Sequence, residues 1–154
     1  MADKRRDFVK TAVGMGAGAS MAAMAMAAEK GARREKVAGG VRLGNLYFSS
    51  GLTAVRPEAR QDPLAFGGDV AEQTEKIMEM HKKNLESMGS SLDNVLKVVV
   101  LMADVKTEKP AMNKAYAKFF PKDPPARSAY GVEFPDVATR VEIEIVAWIP
   151  DRAS

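Results

Sequence analysis

Short apolar runs separated by proline- and glycine-rich segments predict a mixture of strands and helices between residues 41 and 148. Residues 41–50 are predicted to be extended, with a turn at Gly44-Asn45 between two short strands. Residues 55–68 combine prolines and glycines with scattered polar positions, which is typical of a loop. Residues 98–101 form a continuous apolar run, which predicts a strand covered on both faces.

The first predicted helix begins at Asp69 and ends at Gly89. Asp69 followed by Glu72 matches a capping box, and a glycine at the end is the usual C-terminal cap. Its apolar positions recur at helical spacing and predict a buried stripe of Val70, Ile77, Met78, Leu85 and Met88. His81, the one histidine of the sequence, is predicted to lie on the solvated face of this helix.

A second helix is predicted from about Thr107 to Phe120, with Pro110 in its first turn, where proline is tolerated. Its buried face consists of Met112, Tyr116, Phe119 and Phe120. The segment 121–125 then interrupts the chain before two final strands. The predicted fold class is α+β, with two helices packed on one face of a sheet.

Those final strands carry the candidate chemistry. Arg127 follows a Pro-Pro-Ala segment that favours extended geometry. In residues 141–145, apolar positions alternate with Glu142 and Glu144, so the two carboxylates share one face. We expect Arg127 and Glu142 on neighbouring strands, where a guanidinium could hold a small acid and a carboxylate could steer water. The alternative is a surface ion-pair role for Arg127 and a solvated sheet face for the glutamates.

Composition excludes several other classes of protein. The 154 residues suit one domain, and no cysteine is available for a disulfide, a thiol nucleophile or a thiolate metal site. The net charge is +3, but residues 1–28 hold four basic and two acidic residues, so the remainder is nearly neutral. We therefore expect no nucleic-acid partner. The environment of His81 predicts no metal site, and Ser49-Ser50-Gly51 does not match a nucleophile elbow.

The N-terminal segment is predicted to be a leader. Arg5-Arg6 precedes a weakly apolar, alanine-rich run and resembles the twin-arginine export motif, and Ala25-Met26-Ala27 or Ala23-Met24-Ala25 offers a cleavage site. Residues 1–28 are thus interpreted as a signal peptide and residues 29–154 as one periplasmic domain without a membrane anchor. The alternative is an uncleaved anchor, although the run falls short of the ~20 strongly apolar residues that a stable span needs.

Five segments, in order along most of the predicted mature chain, match a known pattern. They are residues 44–51, 71–95, 97–102, 112–120, and 125–128 together with 141–144. On these residues the chain resembles the RidA/YjgF family of reactive-intermediate (enamine/imine) deaminases. The resemblance implies a RidA-like (chorismate-mutase-like) mixed sheet and a homotrimer with active sites between chains.

The resemblance also implies roles for individual residues. Arg127 corresponds to the arginine that grips the substrate carboxylate, and Glu142 corresponds to the glutamate that orients the attacking water. Ser50 and Gly51 correspond to the serine-glycine pair whose backbone helps line the pocket. The implied reaction resembles that of 2-iminobutanoate/2-iminopropanoate deaminases. It hydrolyses small enamine/imine acids to 2-keto acids and ammonia, without a cofactor or metal.

Three positions depart from the family pattern. Val37 stands at about the place of a tyrosine, Leu52 replaces a glutamine, and Ala129 replaces a cysteine. The core pair Arg127 and Glu142 is kept while the pocket wall is altered. An alternative function therefore stays open: an exported ligand-binding or chaperone-like protein with this fold and little turnover.

Overall fold

The computed structural model describes residues 34–54 and 68–150, so the predicted leader and most of the predicted 55–68 loop lie outside the described residues. The described strands are β1 Arg34–Val37, β2 Gly40–Leu43, β3 Leu46–Ser49, β4 Leu52–Thr53, β5 Val95–Met102, β6 Ala126–Gly131 and β7 Val141–Trp148. The described α-helices are α1 Val70–Ser87 and α2 Val105–Ala117, and a short 3-10 turn spans Leu92–Asn94. Neither of these helices is long and apolar enough to cross a bilayer.

The strands form one mixed sheet in the order β1-β2-β3-β7-β5-β6, and β4 pairs with β7 beyond the end of β3. Only β5 and β6 run parallel among the described pairs, because α2 carries the chain back in a crossover. β7 then pairs antiparallel with the other edge of β5. The expectation that Arg127 and Glu142 occupy neighbouring strands is therefore wrong, since β5 lies between β6 and β7.

The two helices cover one face of this sheet, which confirms the predicted α+β class. Val98 and Val100 of β5 and Ile143 of β7 are fully buried in a core that includes apolar residues of α1 and α2. The other face of β5 holds Val99 and Leu101, which are half-buried. The sequence predicts that this strand is covered on both faces, and within residues 34–54 and 68–150 only its helix-side face is covered.

Aspartates cap both helices. Asp69 Oδ1 accepts hydrogen bonds from the amides of Ala71 and Glu72, each at 2.9 Å, as predicted for the start of α1. Asp104 caps α2 in the same way, so this helix begins two residues before the predicted Thr107. Pro110 consequently lies in the second turn of α2 rather than in its first turn.

The prediction of a solvated His81 is wrong. His81 is fully buried between α1 and the sheet, with ring Nε2 3.0 Å from the carbonyl oxygen of Ile143. It falls four residues after Ile77 and four before Leu85, both fully buried, so it belongs to the same stripe of α1. Burial lowers the pKa of His81 to about 4, against a smaller opposing effect of its hydrogen bond to Ile143.

Candidate active site

Arg127 lies on the helix side of the sheet, near α2. It is in register with the buried Val98, and a side chain built at Gly131, four residues further along β6, would meet Val105 of α2. Nη2 of Arg127 donates to Asn113 Oδ1 at 2.7 Å, and the guanidinium carbon lies 4.6 Å from the centre of the Tyr116 ring. A hydrogen bond and a cation–π contact thus hold this cation in one orientation.

Asn113 and Tyr116 are site candidates that sequence reasoning missed. They are spaced i and i+3 on α2, which places them on one face of the helix beneath Arg127. The Tyr116 ring is 5% exposed. Burial raises the pKa of Tyr116 to about 12, although the charge of Arg127 opposes the increase. The helical spacing predicted Tyr116 as a core residue, which it is, but gave no sign that Arg127 would lie over it.

Glu142 lies on the opposite, open face of the sheet. It is in register with Leu101, and its carboxylate rests directly against Gly51, where any side chain would overlap Glu142 Oε1. Burial raises the pKa of Glu142, and the charge of Glu144 on the same face raises it further. Arg127 does not contribute to this shift.

A β-bulge brings Gly51 to Glu142. Phe48 pairs with Val146 and Leu52 pairs with Ile143, so three residues of the β3–β4 segment face two residues of β7. Ser50 and Gly51, whose backbone the family resemblance places in the pocket lining, lie in this bulge. The amide of Ser50 donates to the Gly39 carbonyl at 2.8 Å, so this amide already has a partner in the chain.

The structure does not bring Arg127 and Glu142 together within one chain. Their register partners on β5, Val98 and Leu101, are three residues apart, so the two side chains project from opposite faces. Two strand spacings and three residues along the strand separate their Cα atoms by roughly 14 Å. One chain therefore cannot place both groups on the same small substrate.

The three departures from the family pattern all border the core, although Val37 and Ala129 lie on β1 and β6, the opposite edges of the sheet. Val37, Leu52 and Ala129 are partly buried and pack against the helix-side core. Ala129 also lies on the Arg127 face of β6, because it is in register with the buried Val100. No group of three or more metal-ligating side chains occurs in the part of the chain that the structure describes.

Comparison with known proteins places the chain among relatives with this fold. The family model described as Endoribonuclease L-PSP matches residues 31–149. Reactive Intermediate Deaminase A of Arabidopsis thaliana is 32% identical over 107 residues, covering 70% of this chain and 55% of that protein. The human 2-iminobutanoate/2-iminopropanoate deaminase is 34% identical over 107 residues, covering 70% of this chain and 75% of the human protein.

A solved structure agrees with these sequence relatives. The crystal structure of a Thermotoga maritima protein, titled a putative endoribonuclease, matches with a TM-score of 0.62 and 30% identity. The match covers 76% of this chain and 89% of the Thermotoga chain. The mixed sheet with two helices is thus the fold of these relatives. The chain belongs to the RidA/YjgF family, whose family model is described as Endoribonuclease L-PSP.

Proposed function

We propose that this protein hydrolyses small enamine/imine acids to 2-keto acids and ammonia, at a site shared between two subunits of a homotrimer. The observation that carries this proposal is the separation, within one chain, of two side chains suited to bind and hydrolyse such a substrate. A fixed guanidinium, Arg127, and a partly desolvated carboxylate, Glu142, lie on opposite faces of one chain. The deaminase names of the Arabidopsis and human relatives support the reaction class.

Arg127 is suited to hold the substrate carboxylate. Asn113 Oδ1 and Met112 Sδ each accept a hydrogen bond from one N–H group of the guanidinium, and the Tyr116 ring covers one of its faces. The remaining N–H groups match the two oxygens of a carboxylate in a bidentate pair. This contact would orient the imine carbon of the substrate toward the neighbouring chain.

Glu142 is suited to activate water. The enamine first tautomerises to the imine, and the carboxylate of Glu142 then takes a proton from a water that attacks the imine carbon. Glu142 returns this proton to the former imine nitrogen, which leaves a neutral carbinolamine and an ionised Glu142. The resulting carbinolamine collapses to the 2-keto acid and releases ammonia, which carries away the nitrogen. A raised pKa makes Glu142 a stronger base than an exposed glutamate.

The open face of the sheet supports assembly with further copies of the chain. By strand register, Leu43, Leu46, Phe48 and Trp148 all lie on this face, and each is 39–45% exposed. An apolar surface of this kind is typical of a protein–protein contact. A second copy packed there would cover the apolar side chains and bring another chain toward Glu142.

Ammonia release from freshly generated 2-aminoacrylate or 2-iminopropanoate tests the function. Arg127→Ala should weaken 2-keto-acid binding and turnover together, and Arg127→Lys should restore only part, because an ammonium lacks the planar fork. Glu142→Gln nearly preserves shape and should lower turnover about 10²–10⁴-fold while binding persists. Glu79→Gln, an exposed carboxylate of α1, is the matched control and should change neither.

The same assay distinguishes the deaminase from the alternative, a ligand-binding or chaperone-like protein. A ligand-binding or chaperone-like protein would bind the 2-keto acid without releasing ammonia before any substitution. An active wild-type protein whose turnover survives both Arg127→Ala and Glu142→Gln would show that the site assignment is wrong.

A further inference from the structure

Two side chains hold the backbone of β7 at the bulge beside Glu142. The amide of Ile145 donates to Ser49 Oγ at 2.8 Å, so a side chain rather than a strand carbonyl accepts this hydrogen bond. The carbonyl oxygen of Ile143 lies 3.0 Å from His81 Nε2. Because a carbonyl only accepts, His81 must carry its proton on Nε2 and donate it. The two contacts therefore bracket the stretch that immediately follows Glu142.

We infer that Ser49 and His81 are positioning residues for Glu142, fixing β7 at the bulge so that the Glu142 carboxylate stays against Gly51. The inference rests on the proposed function, in which Glu142 orients the attacking water. Neither residue would touch the substrate. Each would act through the backbone of β7, one from the bulged strand and the other from α1.

The chemistry of His81 supports a specific role over simple packing. Its ring is fully buried, and Nδ1 has no hydrogen-bond partner within the described residues. Burying an unpaired polar atom is unfavourable, and an apolar side chain between Ile77 and Leu85 would avoid that cost. The one feature that an apolar residue could not supply is the hydrogen bond to the Ile143 carbonyl.

The contact between Glu142 and Gly51 explains why the position of β7 should affect turnover. Glu142 Oε1 occupies the space that a side chain at Gly51 would need, so the position of β7 relative to the bulge sets the position of the carboxylate. Misplacing a catalytic group by about 1 Å can lower a rate on the order of 10²-fold. A loosened bulge should therefore reduce turnover without removing any group that binds substrate.

Paired substitutions test each residue. Ser49→Val and His81→Met remove the hydrogen-bonding group, whereas Ser49→Thr and His81→Gln, whose new side chains are similar in volume to valine and methionine, retain an oxygen or N–H in nearly the same place. We expect the first pair to lower kcat about tenfold or more with KM nearly unchanged, and the second pair to recover most of it. Thr74→Val is the control, because it removes a buried hydroxyl bonded to Val70 O within α1.

A readout independent of turnover keeps the inference separate from the proposed function. Carboxyl NMR should show that Glu142 titrates at lower pH in Ser49→Val and His81→Met, because a freed carboxylate gains solvent, and at the wild-type pH in Thr74→Val. An inactive wild-type protein, or full activity in Glu142→Gln, would refute the proposed function and leave the titration to decide the positioning role. Unchanged Glu142 titration in both variants would overturn that role, as would kcat losses equal to those of Thr74→Val.

Discussion

Gly51 and Glu142 lie so close together that a side chain at Gly51 would overlap the Glu142 carboxylate. Gly51 is not among the glycines with positive φ, so alanine can adopt its backbone conformation. The obstacle to a side chain at this position is the Glu142 carboxylate itself. The glycine is thus required by close approach rather than by backbone conformation.

Gly51→Ala should therefore destabilise the protein and reduce turnover by displacing Glu142. In a Glu142→Ala background the same substitution should cost much less stability, because the carboxylate that it meets is gone. Denaturant unfolding of the four proteins in this double-mutant cycle measures the coupling, which we expect at 0.5 kcal/mol or more, on the order seen for residues in contact. Additive effects would show that the clash lies elsewhere.

The pKa of Glu142 predicts the pH dependence of turnover. In the proposed mechanism the ionised carboxylate is the active form, so activity should fall as the pH falls through this raised pKa, above the ordinary glutamate value of 4.5. Glu144→Gln removes the smaller of the two causes and should move the acidic limb of kcat to lower pH. Glu79→Gln should leave the acidic limb of the kcat profile at the wild-type pH. An acidic limb at the wild-type pH in Glu144→Gln would contradict the electrostatic account.

At the scale of single elements, the buried His81 of α1 makes the stability of the fold depend on pH. His81 is neutral in the folded chain down to about pH 4, whereas an unfolded chain protonates it near pH 6.5. Between these values the unfolded state binds the extra proton, so the free energy of unfolding falls as the pH falls. Stability is thus fully present above pH 6.5 and no further histidine-linked loss occurs below about pH 4.

The expected loss over that window is ~3 kcal/mol. His81→Met should abolish this part of the pH dependence, because methionine does not titrate. Denaturant unfolding between pH 4 and pH 7 measures it, and the single histidine makes the NMR titration of the ring unambiguous. A wild-type stability that is flat across this window would contradict the buried, neutral state.

Local signals account for most of the predicted elements. Asp69 and Gly89 delimit α1 because capping depends on the few residues around each helix end. The insertion of β5 between β6 and β7 depends on pairing between segments far apart in sequence, and no local pattern contains it. His81 was misassigned because its residue type outweighed its spacing, although the i, i+4 relation to Ile77 and Leu85 pointed to the core.

The sequence nominates two residues of the candidate site but not their arrangement or the residues that hold them. Strand alternation and the family resemblance identified Arg127 and Glu142, whereas their opposite faces depend on the register of both strands with β5. Asn113 and Ser49 acquire their roles through contacts 14 and 96 residues away in sequence, which sequence patterns do not encode.

At the scale of the whole molecule, one chain carries both parts of the proposed site but cannot bring them to the same substrate. Arg127, on the edge strand β6, faces the helices, and Glu142 lies on the open, partly apolar face. A cyclic homotrimer would join the Arg127 half of one chain to the Glu142 half of its neighbour. The assembly is thereby part of the proposed mechanism.

Complementation between two inactive variants tests this claim most directly. Arg127→Ala and Glu142→Gln chains, mixed in equal amounts and refolded together, should form trimers in which about a quarter of the interfaces carry both native groups. We predict that ammonia release recovers to about a quarter of the wild-type rate, with the mixture sedimenting as the wild type does, at about three times the mass of one chain. Mixed trimers that show no activity above that of the separate variants would contradict a site shared between subunits.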